Sequence, residues 1–208
     1  MENTNSVQAD DRTHPSPQDA FDIVALATSA GGLKALSQVL SGLPVDFPAA
    51  IVIVQHLDPR HRSLMADILS RRTSLAVKEA EEGDPLKPGT VYIAPPNRHL
   101  LVNPDNTLSL TQSELVHFVR PSADLLFDSV AASHQQRAIA VVLTGTGSDG
   151  ATGVQAIKKM GGTVIVQEAE TAEFSGMPNA AIQTGGIDFV LALDEVAAAL
   201  ITLVMKTP

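Results

Sequence analysis

The sequence predicts an α/β protein with a doubly wound, mainly parallel sheet flanked by helices. From Phe21 onward, strand patterns and helix patterns alternate along the chain, and this order is typical of parallel sheets. Two apolar strand patterns, at 22–27 and 138–143, each lead into a glycine-rich turn and then a helix. In α/β proteins, binding and catalytic residues are often located in such turns. With 208 residues, 44% of them hydrophobic, the chain can bury one substantial core.

The first half of the chain contains two strand–helix pairs and then a turn-rich segment. Strands are predicted at 22–27 and 49–55, and helices near 33–42 and 63–72. Short apolar runs then alternate with turns rich in Pro, Gly and Asn. We therefore expect an antiparallel β-hairpin excursion around residues 76–111, with short strands at 76–78, 90–94, 100–102 and 108–111.

Strand and helix patterns alternate again in the second half. The predicted elements are a helix at 122–134, a strand at 138–143, a helix at 151–160, a strand at 163–167, a short helix opened by Pro178, a strand at 188–192 and a helix at 195–205. Asp194 is the expected N-cap of the last helix. The apolar face of that helix is predicted from four residues, Val196, Leu200, Leu203 and Val204.

Composition limits the domain organisation and the classes of partner. Residues 1–20 contain almost no large apolar side chains, so we expect a disordered N-terminal tail followed by a single domain over 21–208. The formal net charge is −9 and no long Lys/Arg run is present, which argues against nucleic acid or an anionic membrane surface as a partner.

Further classes are excluded by particular residue types. The sequence has no cysteine, which excludes disulfides, thiol nucleophiles and thiolate metal sites. Neither a transmembrane stretch nor a signal-peptide pattern is recognisable. We therefore expect a cytoplasmic protein that is not inserted in a membrane.

Three polar side chains stand where predicted strands end. Ser29 follows the first strand, His56 follows the second, and Asp149 lies in the glycine-rich turn after the strand at 138–143. A hydroxyl, an imidazole and a carboxylate are the components of a hydrolytic triad. The pattern therefore predicts Ser29 as nucleophile, His56 as general base and Asp149 as the residue that orients the imidazole.

Ser29 has a simpler interpretation, because a serine between a strand and a helix often only caps the helix. The two glycines that follow it favour a reactive role. Without a Cβ at Gly31 and Gly32, the backbone can approach a reacting carbonyl, and the N–H groups that open the helix near Leu33 can face a developing oxyanion. A serine in this setting can serve as both cap and nucleophile.

His56 has a metal-binding alternative, because the segment His56-Leu-Asp-Pro-Arg-His61 offers two imidazoles and a carboxylate. The segment matches no standard zinc spacing, and Pro59 prevents a helix that would hold both histidines on one face. If the first two strands are neighbours in the sheet, Ser29 and His56 emerge at the same edge. That placement favours a general base.

Asp149 lies in a segment with a rival interpretation. Gly145-Thr-Gly-Ser-Asp-Gly150 fits GxGxxG between a strand and a helix, and Glu168 follows the next strand, as in a dinucleotide-binding unit. The motif is not in the first strand–helix unit, however, and a carboxylate in a phosphate loop would repel a pyrophosphate. A nucleotide-binding oxidoreductase nevertheless stays open as an alternative.

Seven short segments, in order from about Asp22 to Val204, resemble the catalytic domain of the CheB-like chemotaxis protein-glutamate methylesterases. They are Thr28-Ser-Ala-Gly-Gly32, Val54-Gln-His56, Val77-Lys-Glu-Ala-Glu-Glu-Gly83, Gly89-Thr-Val-Tyr-Ile-Ala-Pro95, Arg120-Pro-Ser-Ala-Asp-Leu-Leu-Phe127, Leu143-Thr-Gly-Thr-Gly-Ser-Asp-Gly-Ala151 and Gly176-Met-Pro178. The resemblance implies a doubly wound fold with a hairpin excursion and a triad of Ser29, His56 and Asp149.

The resemblance also implies a reaction. It is the hydrolysis of γ-glutamyl methyl esters on methylated chemoreceptors, often with deamidation of selected glutamines, and it needs no metal and no organic cofactor. Backbone amides of Ala30 and Thr146 are the expected oxyanion donors. The substrate cleft is expected to involve Gly31, Gly32, Gly145, Gly147 and Met177.

The sequence departs from the family pattern at three points. Ala30 replaces a residue that commonly carries a hydroxyl, and Thr146 stands where a methionine is frequent. The best-known members also carry an N-terminal phospho-receiver domain, whereas the catalytic region begins here near residue 21. We therefore expect a stand-alone form controlled by expression level or a separate regulatory protein. A catalytically silent binding module with the same fold is a third possible function.

Overall fold

The structure is a computed structural model that describes residues 21–56 and 63–205. The tail expected at 1–20 and the second histidine of the metal alternative, His61, lie outside the described residues. The strands are β1 (Ile23–Thr28), β2 (Ala50–Gln55), β3 (Ala76–Glu79), β4 (Thr90–Ile93), β5 (His99–Val102), β6 (Leu108–Thr111), β7 (Ala138–Val142), β8 (Thr163–Gln167) and β9 (Phe189–Leu191). The helices are α1 (Gly32–Ser41), α2 (Met65–Ser70), α3 (Ala123–His134), α4 (Ala151–Lys159), α5 (Gly176–Gln183) and α6 (Val196–Val204).

Within the described residues, seven parallel strands form one sheet in the order β3-β4-β2-β1-β7-β8-β9. On one side of β1 the chain places β2, then the edge strand β3, and then β4 between these two; it then returns and builds outward from β7 on the other side. The switch of direction therefore falls between β1 and β7. Ligand sites in such sheets lie at the carboxyl ends of the strands beside this switch point.

Both faces of the sheet are covered, which explains why the strands are apolar along their whole length. In β1, Ala25 and Ala27 face the layer formed by α3, α4, α5 and the β5–β6 hairpin, whereas Val24 and Leu26 face the layer of α1, α2 and α6. All of these side chains are buried. The predicted doubly wound α/β fold is thus confirmed.

The antiparallel excursion is smaller than the sequence predicts. Among the strands of the described residues, only β5 and β6 pair antiparallel, whereas β3 and β4 pair parallel to each other within the main sheet. The residues between β3 and β4, 80–89, carry Pro and Gly turn signals but do not close a hairpin. Their main chain instead bonds residues 106–108 beside β6, with an isolated antiparallel bridge between Pro85 and Thr107. Turn residues mark where a chain changes direction, and they do not reveal whether the next strand is parallel or antiparallel.

The end of the chain also differs in one detail. Asp194 is not the N-cap of α6, because Glu195 occupies that position and no side chain caps the helix. The Glu195 carboxylate instead accepts a hydrogen bond from the Ala192 amide at 3.1 Å. Val196, Leu200 and Val204 are buried as predicted. Among the described residues, every helix is too short or too polar to span a lipid bilayer.

Candidate active site

Ser29 lies in the turn between β1 and α1, at the carboxyl edge of the sheet. Gly31 occupies the N-cap position of α1 with φ 78°, and no side chain caps the helix. The simpler interpretation of Ser29 as a helix cap is therefore wrong. The left-handed backbone at Gly31 favours glycine, because a Cβ is strained there. The Ser29 amide donates to the Thr144 carbonyl oxygen at 3.0 Å, which fixes the turn against the strand on the other side of the switch point.

His56 directly follows β2, the neighbour of β1. Thr28 and Gln55 are paired in the two parallel strands, so Ser29 and His56 each come one residue after a paired position. The His56 amide donates to the Thr28 carbonyl oxygen at 3.1 Å, which continues the pairing by one step. The expectation that the first two strands are neighbours is confirmed. Ser29 and His56 therefore emerge side by side.

Asp149 reaches His56 from the turn after β7. Its Oδ2 lies 2.8 Å from His56 Nε2, and the two side chains are 4% and 13% exposed. A carboxylate only accepts hydrogen bonds, so Nε2 carries the proton of this contact. The other ring nitrogen, Nδ1, is then left with a free lone pair. Ser29 and His56 are not hydrogen-bonded to each other in the described chain, and such contacts are often long before substrate binds.

The Asp149 carboxylate accepts hydrogen bonds from four donors. Oδ2 accepts from His56 Nε2 and from the Ala123 amide at 2.6 Å, while Oδ1 accepts from Ser122 Oγ at 2.9 Å and the Asp124 amide at 3.1 Å. Burial raises the pKa of Asp149, but the hydrogen bonds from His56 and from the backbone outweigh burial and hold this pKa below its ordinary value. Asp149 is thus kept ionised although it is buried.

A buried histidine supports this carboxylate from behind. His99 is fully buried, its Nδ1 accepts from the Ser122 amide at 3.1 Å, and its Nε2 donates to the Glu114 carbonyl oxygen at 3.0 Å. These partners fix the neutral form with the proton on Nε2. Burial lowers the pKa of His99 below its ordinary value. His99 is therefore a structural residue that holds the Ser122 main chain.

We expect the protein to lose stability as the pH falls below about 6.5, the pKa of an unperturbed histidine. Burial lowers the folded-state pKa of both His99 and His134. The unfolded chain therefore binds these protons first, and stability falls with pH. Asp149 adds a second loss at lower pH, since its lowered pKa stabilises the fold only while it is ionised. Calorimetric Tm values between pH 7 and pH 5 test the first loss.

The variant His99→Gln is the control for this pH dependence. Glutamine does not titrate, and its side-chain amide can still donate to the Glu114 carbonyl oxygen in place of His99 Nε2. The slope of Tm against pH should be shallower in this variant than in the parent protein. A parent Tm that stays constant from pH 7 to pH 5 would contradict the prediction.

Both amides that are expected to act as oxyanion donors are available. Among residues 21–56 and 63–205, the amides of Ala30 and Thr146 donate no hydrogen bond to another protein group. Ala30 directly follows Ser29, and Thr146 lies on the exposed part of the turn after β7. The two turns are in close contact, because a Cβ added at Gly145 would lie 2.9 Å from the Ser29 Cβ. Free N–H groups beside a nucleophile are what an oxyanion hole requires.

Met177 lies under the turn after β7 and does not face a cleft. It is 1% exposed, its amide donates to the Gly145 carbonyl oxygen at 2.9 Å, and its Sδ would lie 2.3 Å from a Cβ added at Gly145. Thr144 completes the support, since its hydroxyl donates to the Ala30 carbonyl oxygen at 3.0 Å. Gly147 is exposed on the same turn. Gly145 and Met177 therefore shape the turn that meets Ser29.

An open cleft of about 500 Å³ begins at Ser29 and runs along the start of α1. Besides Ser29, it is lined by Gly31, Gly32, Leu33, Lys34, Gln55, Met65 and Arg72. Two of the cleft residues, Lys34 and Arg72, are cations in a chain of net charge −9. The Arg72 guanidinium is held at α1 by donating to Ser37 Oγ at 3.1 Å. The cleft therefore combines a hydroxyl, apolar walls and a positively charged rim.

The dinucleotide alternative for the segment 145–150 conflicts with the geometry. In a dinucleotide site, the helix N-terminus after the glycine-rich turn binds the pyrophosphate. Here that position at α4 is occupied, because Asp124 Oδ1 accepts from the Gly150 amide at 3.0 Å and the Gly153 amide at 2.7 Å. Two buried carboxylates, Asp124 and Asp149, stand where a pyrophosphate would need donors.

The metal alternative finds no support in the described part of the chain. No cluster of three or more His, Cys, Asp and Glu side chains is arranged to hold a metal ion among the described residues. His56 uses its Nε2 on Asp149.

Several residues that build the site cannot be identified from the sequence. Gln55 and Ser122 appear there only as members of the resembling segments, and Arg72 has no distinguishing signal. A signal for Ser122 existed, since a serine before the α3 pattern is a typical N-cap, and its side chain accepts from the Leu125 amide. No sequence signal shows that the same serine donates to Asp149. That contact depends on tertiary structure.

Comparison with known proteins is consistent with this architecture. The family model described as CheB methylesterase matches residues 24–200. A protein of Leptospira interrogans is 42% identical over 183 residues, which cover 88% of this chain and 95% of the relative. A protein-glutamate methylesterase/protein-glutamine glutaminase of Geobacillus kaustophilus is 40% identical over 97% of this chain, and the chain spans 61% of that relative's length.

A solved structure is similar over the same region. The crystal structure of the Thermotoga maritima CheB methylesterase catalytic domain superposes with a TM-score of 0.85 at 40% sequence identity. The match covers 88% of this chain and 98% of the crystallised domain. Family model, relatives and structural neighbour therefore agree with the resemblance noted in the sequence, and the chain belongs to the CheB methylesterase family.

Proposed function

We propose that this protein hydrolyses methyl esters of glutamate side chains in methylated chemoreceptors, in the cytoplasm. One observation carries the proposal: a buried, ionised Asp149 holds His56 by a 2.8 Å hydrogen bond beside the turn that presents Ser29. The names of relatives such as the Geobacillus kaustophilus protein state the same reaction class. Membership of the family supports the assignment of substrate and partner.

In the proposed reaction, Ser29 Oγ attacks the ester carbonyl carbon while His56 Nδ1 takes the hydroxyl proton. Nδ1 has this role because Nε2 donates to Asp149. The charged imidazole is stabilised by the carboxylate. When the tetrahedral intermediate collapses, the C–OCH₃ bond breaks, and His56 returns the proton to the leaving oxygen to release methanol.

The second half of the proposed reaction hydrolyses the acyl-enzyme. Water loses a proton to His56 as it attacks the same carbon, and Ser29 leaves with that proton. The net change converts an ester and water into a glutamate carboxylate, methanol and a proton. In both halves, the free amides of Ala30 and Thr146 stabilise the negative oxygen.

The test is methanol release from a purified, methylated chemoreceptor fragment. We expect release that depends on protein concentration and covalent labelling of Ser29 by a fluorophosphonate, because only an activated serine reacts with such a reagent. Labelling without methanol release would contradict the proposed substrate but would still support a serine hydrolase. Absence of both would instead support a silent binding module.

Deamidation of glutamine side chains belongs to the same proposal. An amide passes through the same acyl-enzyme, with ammonia as the leaving group in place of methanol. The Geobacillus kaustophilus relative is named for both activities. Ammonia release from an unmethylated receptor fragment that carries glutamine at the methylation positions would test this activity separately.

We predict that Ser122→Ala lowers kcat by about tenfold, because Asp149 Oδ1 loses one of its donors and is less firmly oriented. The lost contact is the 2.9 Å hydrogen bond from Ser122 Oγ. Steady-state kinetics on the methylated fragment measure this effect. Ser133→Ala is the matched control, since it removes a serine hydroxyl near the end of α3 that bonds the Ser129 carbonyl oxygen. Equal kcat values for the two variants would contradict the prediction.

A further inference from the structure

Gln55 connects the main chains of the two proposed catalytic residues. Its side-chain Nε2 donates to the Ser29 carbonyl oxygen at 2.8 Å and to the His56 carbonyl oxygen at 2.9 Å. Both partners can only accept, so the orientation of the amide is fixed. Gln55 itself is 4% exposed. One buried amino group therefore ties the turn that carries the nucleophile to the turn that carries the base.

The position of this contact matters because regular strand pairing stops beside it. The β1–β2 ladder ends at the pair Thr28 and Gln55, so Ser29 and His56 lie just beyond it. Among the described residues, one backbone hydrogen bond extends this pairing, from the His56 amide to the Thr28 carbonyl oxygen. The Gln55 amide supplies the remaining connection between the two turns.

The buried position of the Gln55 amide leaves one of its atoms in an unfavourable environment. Gln55 Oε1 is buried without a hydrogen-bond partner among the described residues, and an unpaired buried acceptor is destabilising. Gly32 makes the room, because a Cβ added there would lie only 1.9 Å from Gln55 Oε1. The Ser29 carbonyl oxygen also accepts from the Gly32 amide at 3.0 Å, so this oxygen would stay hydrogen-bonded without Gln55. Pairing of the Ser29 carbonyl oxygen therefore does not explain this glutamine.

We propose that Gln55 is a positioning residue, which sets the separation of Ser29 Oγ and His56 Nδ1 by holding the two main chains that carry them. The inference rests on the proposed roles of Ser29 and His56. Gly32 then has a second role besides letting the backbone approach the reacting carbonyl, since glycine at this position leaves space for the Gln55 side-chain amide. A displacement of about 1 Å between reacting groups can cost about a hundredfold in rate.

The test is Gln55→Met, which keeps the length of the side chain and removes both donor hydrogens. We expect kcat for ester hydrolysis to fall about 10- to 100-fold with KM within about twofold of the parent value. The rate of Ser29 labelling by a fluorophosphonate should fall by a similar factor. Tm should change little, because removal of the unpaired Oε1 offsets the hydrogen bond that the His56 carbonyl oxygen loses.

A second variant and a matched control separate positioning from folding. Gln55→Asn keeps the amide but is one methylene shorter, so it reaches at most one carbonyl oxygen, and its labelling rate should be intermediate. Asn103→Leu removes another amide that donates twice, to Thr107 Oγ1 at 3.0 Å and Ser109 Oγ at 2.8 Å in the β5–β6 hairpin. This control should lower Tm and leave the labelling rate per folded molecule unchanged.

Several outcomes would overturn the inference: a Gln55→Met protein that is labelled at the parent rate, a loss confined to KM, or an equal loss in Asn103→Leu. Absence of Ser29 labelling in the parent protein would contradict both the positioning role of Gln55 and the proposed hydrolase function. If the parent protein is labelled faster than Gln55→Met but releases no methanol from methylated receptor, the proposed substrate fails and the positioning role stands.

Discussion

Replacement of Ser29 by alanine is expected to lower the rate of methyl ester hydrolysis by about 10⁴-fold or more. The loss should appear in kcat, because the hydroxyl forms the covalent bond of the first half-reaction. Tm should stay nearly unchanged. The Ser29 amide and carbonyl oxygen hold the turn through Thr144 and Gly32, and neither contact involves the side chain.

Methanol release and thermal unfolding of the same preparations would measure both effects. Ser41→Ala is the matched control, since it removes an exposed hydroxyl at the other end of α1 that bonds the Gln38 carbonyl oxygen there. This control should retain parent activity. Activity above a tenth of the parent value in Ser29→Ala would remove Ser29 from the mechanism.

The layered fold was predictable because each element has a strong local pattern. Strands such as β1 and β7 are buried on both faces, so they appear in the sequence as short, continuous apolar runs. Helix α1 carries its apolar residues at helical spacing. The direction of β3 was not predictable, since its partner is β4 and the choice between parallel and antiparallel pairing depends on the path of residues 80–89.

The candidate site was predictable only where a residue follows directly from a strand end. Ser29 and His56 come next to each other because β1 and β2 pair in parallel, and sequential strands are often neighbours. Asp149 joins these two residues because the chain returns and places β7 next to β1, and this long-range pairing has no local signal in the sequence. The donors around Asp149, at Ser122, Ala123 and Asp124, lie more than 20 residues away in sequence, and no local pattern specifies such contacts.

The contacts of Gln55 likewise have no signal in the sequence. A glutamine at the end of an apolar strand is ordinarily a polar terminus facing solvent, and only the pairing of β1 with β2 turns it toward two carbonyl oxygens. Its unpaired Oε1 is visible only in the folded chain. Local violations of hydrogen-bonding rules tend to mark functional positions.

Asp149→Asn is expected to cost about 10⁴-fold in kcat by disturbing the tautomer of His56. All four groups around the Asp149 carboxylate are donors, two of them backbone amides. An asparagine must place its NH₂ group where one of the carboxylate oxygens now accepts, so at least one backbone amide loses its acceptor. If the NH₂ group faces His56, Nε2 must accept, the proton moves to Nδ1, and Ser29 loses its base.

Because the replacement leaves a buried donor unpaired, Asp149→Asn should also lower Tm, in contrast to Ser29→Ala.

Asp124→Asn is the matched comparison. Asp124 is similarly buried, but its Oδ1 accepts from the Gly150 and Gly153 amides, while its Oδ2 accepts from His117. An asparagine there keeps its oxygen on the two amides and turns its NH₂ group toward His117, which can accept it. Asp124→Asn should therefore lose no more than about tenfold in kcat. Equal losses in the two variants, or an Asp149→Asn protein with more than a tenth of the parent activity, would mean that Asp149 does not set the tautomer of His56.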